Sequence, residues 1–114
     1  MSLIYKICDG QLWSDAVTAG MFKGAAIDLE DGYIHFSTAS QVEETASRHF
    51  RHQENLVLVT IATKDLNITW EPSRGGDLFP HLYADLPVSA AVRVVPLACD
   101  DNGVPKPRDG WDSI

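Results

Sequence analysis

A chain of 114 residues carrying a formal charge of −7 is long enough for one hydrophobic core and too short for two. Its 45% hydrophobic and 22% charged content excludes a disordered chain, and the acidic balance opposes the phosphate neutralisation that drives binding to long RNA or DNA. The longest apolar run, around Leu56 to Ala62, is too short to span a bilayer, the N-terminus lacks the order of a signal peptide, and Cys8 and Cys99 have no CxxC spacing, so a cytoplasmic protein with reduced thiols is expected.

In chain order, Leu3 to Ile7 reads as a first strand, with Tyr5 and Ile7 on one face and Ile4 and Lys6 on the other. Asp9 caps a helix from about Gly10 to Ala19, with Trp13, Ala16 and Val17 as its apolar stripe and Gly20 at its C-terminal end. Residues 21–29 show no clear period and are expected to form a loop or a short extended segment. Asp31-Gly32 is a turn signal, and Tyr33 to Ser37 alternates as a strand, placing Tyr33, His35 and Ser37 opposite Ile34 and Phe36. Ser40-x-x-Glu43 has capping-box spacing and predicts a helix from Gln41 to His52 that buries Val42, Ala46, His49 and Phe50.

Leu56 to Ile61 reads as a central strand, and Ile68 to Glu71 as an extended piece ended by Pro72. Ser73 to Asp77 is a loop whose Gly75 and Gly76 permit positive φ or close approach to a ligand. Phe79 to Tyr83 is a strand with Phe79, His81 and Tyr83 on one face, and Ala91 to Leu97 is the last strand. From Asp100 the chain is acidic and contains Pro and Gly, so residues 100–114 are expected to add little to a single domain of residues 1–99. Strands outnumber helices and are not interleaved with them, which favours α+β with one or two mainly antiparallel sheets.

The chemistry-bearing residues admit two readings each. His35 and His81 are candidate catalytic groups, since imidazole suits acid–base work or anion binding, or else half-buried residues bonded to backbone. Ser37 is a candidate cleft residue, and Thr38 or Ser40 also serves to cap the following helix. Lys6 is a lone cation on a strand, either solvated or phosphate-binding. Arg74 beside two glycines suits an anion clamp, or a pairing with Glu71 or Asp77. Tyr33 and Tyr83 serve core packing or stacking on a ligand ring; Trp13, Trp70 and Phe50 are core candidates. His49 and His52, three apart, make a zinc set only with His35 and His81, no thiol or acid being fixed nearby in sequence, so no metal is expected.

The ordered blocks Ile4-Tyr5-Lys6-Ile7, Asp31-Gly-Tyr-Ile-His-Phe-Ser-Thr-Ala-Ser-Gln41, Trp70-Glu71 and Phe79-Pro-His-Leu-Tyr83 resemble domain-of-unknown-function family 952, small bacterial proteins, over roughly residues 3–97. That family is grouped by fold likeness with the ADP-ribosyltransferases, which bind NAD in a cleft between two small antiparallel sheets. The resemblance therefore implies an ADP-ribosylation-type fold, two small mainly antiparallel sheets with flanking helices, and NAD or a related nucleotide as ligand. The three strand positions of that superfamily fall on Lys6, on His35 with Ser37, and on His81. The implied roles are catalysis by His35 and His81, and nucleotide binding by Lys6, Ser37, Thr38, Arg74 and Tyr83.

This chain departs from the pattern twice. Lys6 stands where relatives carry His, and His81 stands where a Glu is usual, which disfavours ordinary protein ADP-ribosylation. An imidazole there is nearer to the NAD-dependent RNA phosphotransferases. The implied activity is transfer of ADP-ribose or a phosphoryl group; the alternatives are a non-catalytic nucleotide- or small-anion-binding module, and a metal-dependent hydrolase.

Overall fold

A computed structural model describes residues 2–114, the side chain of Arg74 excepted. Its first strand, β1 (Leu3–Asp9), is buried on both faces from Ile4 to Cys8. Ile4 and Cys8 enter one hydrophobic cluster while Tyr5 and Ile7 enter another, so β1 divides the core into two halves. β1 pairs antiparallel with β4 (Leu56–Ala62), which pairs antiparallel with β8 (Ala91–Cys99). The near-unbroken apolar run of β4 matches its place inside this sheet, covered on both faces.

Asp9 accepts a hydrogen bond from the Leu12 amide at 3.0 Å and starts α1 (Gly10–Ala19). The helix stops where Gly20 takes φ 88° and returns its N–H to Ala16 O. Trp13 and Ala16 face the first cluster as expected, but Val17 is exposed, because the helix is turned so that Leu12 flanks Trp13 instead.

Residues 21–29 are neither a loop nor a single extended piece. Met21–Phe22 form β2, paired with β7 (Leu86–Pro87), and Ala26–Asp31 form a short helix, α2, closed by Gly32 at φ 87°. α2 exposes Ile27 and Leu29 and buries Asp28, so its inward side is polar and leaves no apolar period to read.

The strand expected over Tyr33 to Ser37 is paired only at β3 (Ile34–His35), against β6 (Leu78–Leu82); β6 in turn pairs with β5 (Ile68–Pro72). Ile34 and Phe36 enter the first cluster, as alternation requires. Ser37 leaves this small sheet and exchanges two backbone hydrogen bonds with Tyr5, of 2.8 and 2.9 Å, joining the three-stranded sheet to β1.

α3 (Val42–His49) lies against the second cluster through Val42 and Ala46. It lacks the expected capping box. Gln41 holds the cap position and accepts from the Thr38 amide at 3.0 Å, while the Ser40 hydroxyl meets that of Thr38. The helix ends before His52, whose φ of 66° is left-handed and whose N–H donates to Gly103 O. His49 is exposed, Phe50 only partly buried, and Trp70, expected in the core, is 45% exposed on β5.

The segment after Asp100 corrects its expectation. Pro105–Pro107 form β9, which pairs with β8 and completes the sheet order β1-β4-β8-β9, and Val104, Trp111 and Ile114 pack on the second cluster. The result is an α+β fold with three antiparallel sheets among the described residues, one more than expected. No helix among the described residues is long and apolar enough to cross a membrane, and Cys8 and Cys99 are both free.

Removing residues 100–114 should therefore lower stability by at least about 3 kcal/mol, the burial value of one or two large apolar side chains. A drop in the urea midpoint of the shortened chain is the measurement; an unchanged midpoint would make the segment dispensable.

Candidate functional site

The site is built on a carboxylate that the local chain goes out of its way to bury. Gly24 has φ 120°, and a Cβ there would lie 2.8 Å from Asp28 Cβ, so only glycine lets the chain pass this close. Asp28 Oδ2 then accepts from the Ala25 amide at 2.8 Å across the first turn of α2. Lys6 reaches across from β1 and donates to both oxygens, at 2.8 and 3.0 Å, with side-chain exposures of 6% for Lys6 and 1% for Asp28. His35 adds its backbone N–H at 3.1 Å and its ring Nδ1 at 2.6 Å, while its Nε2 meets Asp31 Oδ2 at 2.9 Å. Both ring nitrogens of His35 are thus engaged by carboxylates of α2.

Burial works to raise the Asp28 carboxyl, but the hydrogen bond from His35 and the charge and hydrogen bond of Lys6 outweigh it. The group is held down from 3.8 to about 2. Burial likewise pushes the Lys6 ammonium below its usual range, against the pull of Asp28. Lys6 is therefore not the lone cation of the sequence reading; its charge is matched inside the protein.

The β3–β6 register sets His35 directly opposite His81, and the two rings meet edge to face with centroids 5.5 Å apart. The Tyr33 ring lies 4.6 Å from His35, 4.2 Å from His81 and 5.0 Å from Tyr83. From β5, diagonal to His81, Glu71 Oε1 accepts from His81 Nδ1 at 2.8 Å and from the Tyr83 hydroxyl. The Tyr83 bond, then the His81 bond, hold Glu71 below the usual carboxylate range, and the same bond pushes the Tyr83 phenol up to about 12. Tyr33 is raised by burial and then by the charges of Asp31, Glu71 and Asp28. Tyr83 is exposed and Tyr33 half-buried, so neither is a core residue.

A cleft of about 210 Å³ opens beside this cluster, lined by Tyr33, Tyr83, Lys23, Asp85 and an edge of Asp28. Of the sequence candidates, His35, His81 and Tyr83 come together here, and Lys6 joins them only through Asp28. Ser37 and Thr38 are directed elsewhere: the Ser37 hydroxyl bonds Thr45 on α3, and Thr38 serves the turn before that helix. Gly75 and Gly76 have φ of 69° and 84°, as a tight loop requires, and the Arg74 side chain lies outside the described residues. His52 packs on Gly103, away from His35 and His81, and no cluster among the described residues is arranged to hold a metal.

Sequence reasoning missed Asp28, Asp31 and Lys23. The available signal was the spacing of Asp28, Asp31 and His35, which puts two carboxylates three apart on one side of a helix running into the histidine strand. Glu71 enters the sequence reading as a partner for Arg74, and its bonds go to His81 and Tyr83.

Residues 7–94 match the model of a family described as protein of unknown function (DUF952). The X-ray crystal structure of protein CC0527 from Caulobacter crescentus is similar, with a TM-score of 0.88 and 46% identity over 92% of this chain and 94% of that one. The solution NMR structure of CC0527 gives a TM-score of 0.78 and 48% identity over 92% of each chain. No curated protein matches.

Asp28→Asn should cost about 3–5 kcal/mol, because it leaves Lys6 buried without a counter-charge. The pH dependence has a fixed sign. A carboxyl lowered from 3.8 to about 2 stabilises the fold above its unfolded value and stops doing so as pH falls through about 2. Urea unfolding followed down this range should lose about 2 kcal/mol, and a Lys6→Met, Asp28→Asn double variant should lose clearly less.

Proposed function

The chain belongs to the family described as protein of unknown function (DUF952), and we propose that it is an ADP-ribosyltransferase-like domain whose cleft binds the nicotinamide–ribose end of NAD or a related nucleotide. One observation carries this reading: Tyr33, His35, His81 and Tyr83 converge with the Glu71 carboxylate in one cluster, of which Tyr33 and Tyr83 line a cleft. The aromatic rings offer surface for a flat heterocycle. Glycosyl transfer breaks the bond between the anomeric carbon and the nicotinamide nitrogen, which leaves with the electron pair. An acceptor hydroxyl then adds to that carbon and gives up its proton to solvent water. Positive charge develops on the sugar, and a carboxylate fixed beforehand stabilises it without reorganising.

Glu71 fits that part. It comes from β5, beside the position where the sequence offers only His81, and its bonds from His81 and Tyr83 favour the ionised form. His81 and Tyr83 then act by holding Glu71. His35, gripped by Asp28 and Asp31, forms a rigid wall.

The role that the resemblance gives Lys6 is not supported, since its charge is matched by Asp28. Lys23, exposed at the cleft rim, is the better placed cation for a pyrophosphate. At about 210 Å³ the cleft is smaller than the roughly 300–1,000 Å³ of sites that enclose a drug-sized ligand, so it suits one end of a dinucleotide with the remainder along the surface. The same matching of Lys6 favours a second reading, a nucleotide-binding module without turnover.

In a titration of isotope-labelled protein with NAD, amide shifts should concentrate at residues 33–35, 71 and 81–83. Glu71→Gln should reduce nicotinamide release at least about tenfold while leaving the spectrum that of a folded protein. Unchanged NAD affinity in a His35→Ala, His81→Ala double variant would sink the reading, and binding without nicotinamide release would favour the second one.

A further inference from the structure

We infer that β5 pairs antiparallel with β5 of a second copy of this chain, about a two-fold axis at Trp70, joining two three-stranded sheets into one of six. The backbone directions carry the inference. In the sheet order β3-β6-β5, β5 lies at the edge, and no strand among the described residues pairs with its far side. Pro80 has no N–H and its carbonyl accepts from the Phe36 amide, while the Leu78 carbonyl accepts from Gln41 Nε2. Both carbonyls therefore turn away from β5, although Trp70 lies opposite Pro80 and Pro72 opposite Leu78. Successive residues of an antiparallel ladder alternate the side to which they bond. Thr69 and Glu71 thus bond inward to β6, and the N–H and C=O of Trp70 point out from the free edge.

The strand suits a copy of itself. With Trp70 opposite the partner subunit's Trp70, the two residues exchange both N–H···O=C bonds, and Ile68 faces the partner subunit's Pro72. Proline has no N–H to offer, but its carbonyl accepts from the facing Ile68 amide, and its place at the end of an edge strand confines the pairing to five residues. Trp70, Pro72 and Leu78 share one face of the sheet and are exposed, Trp70 by 45% and Leu78 by 52%. Pairing sets two such apolar strips side by side. Charge permits it, because Glu71 is the one charged residue in Ile68–Pro72 and is turned to the opposite face, bonded to His81 and Tyr83. On that face the register sets the partner subunit's Thr69 opposite Glu71, so the second copy adds a hydroxyl beside the aromatic cluster. The pairing itself needs no nucleotide.

Sedimentation equilibrium of the full chain from about 10 μM to about 1 mM should show a mass rising toward that of two chains, as a small interface requires. The rise should steepen with added salt, since two chains of formal charge −7 repel each other. Hydrogen exchange reads the register. At the high concentration the Trp70 amide should gain at least about tenfold protection, while the Thr69 and Glu71 amides, already bonded to β6, stay as they are. Trp70→Lys, which sets two like charges opposite each other, should keep its folded spectrum and remain a single chain throughout. A single-chain mass at every concentration, a Trp70 amide that exchanges equally fast at both extremes, or a dimer that survives Trp70→Lys would each overturn the inference. The two proposals fail separately: a monomer that binds NAD removes only the pairing, and a dimer that does not bind NAD removes only the nucleotide reading.

Discussion

The buried carboxylate of Asp28 is the constraint on which the rest of this molecule depends. Removing an ion from water costs several kcal/mol, and that cost is offset only when every lone pair finds a donor. Here the donors come from three separated parts of the chain: Lys6 on β1, the Ala25 amide at the start of α2, and the backbone and ring of His35 on β3. Meeting them fixes the approach of α2, requires glycine at position 24, and sets the orientation of an imidazole packed against Tyr33 and His81. The ion pair thus acts as a jig for the surrounding backbone, and its worth lies in geometry more than in net stability.

The second constraint is register. Side chains on paired strands alternate faces, so a slip of one residue between β3 and β6 would take His35 away from the rings of Tyr33 and His81 and carry it into the apolar cluster. The two-way bridge between Tyr5 and Ser37 holds the end of β3 against the large sheet, and the Ser37–Thr45 hydroxyl contact ties it to α3. Ser37 and Thr38, which seemed to face a ligand when the strand was read alone, supply this anchorage. Their polarity is spent on the scaffold, and the polarity of His35 and His81 is displayed by it.

How much was legible in the sequence follows from what kind of force placed each residue. Strands β1, β4 and β6 and helix α1 were readable because apolar burial leaves a period, and Asp9 and Gly20 because caps leave fixed residue types. α2 was illegible because what it buries is a charge, while its apolar Ile27 and Leu29 face water. The partner of Lys6 lies in that unread helix, so the lysine looked unpaired. β9 was missed because prolines in an acidic stretch suggest a tail, although an edge strand tolerates them. The pairing of His35 with His81 was half legible: both faces were assigned, but only the tertiary register shows that they are the same face.

The pairing of β1 with β4, and the bridge from Tyr5 to Ser37, bear on the order in which the molecule can be assembled. β1 is the first strand of the chain, yet its sheet partner follows three helices and two other strands. Such distant contacts make loop closure the slow event, since the entropy of the intervening chain is lost before the pairing compensates for it. Until β4 arrives, β1 has no sheet to lie in, and Lys6 and Asp28 have no dry interior to share. The cleft is therefore a late product of folding, one that exists only once the chain has closed on its own beginning.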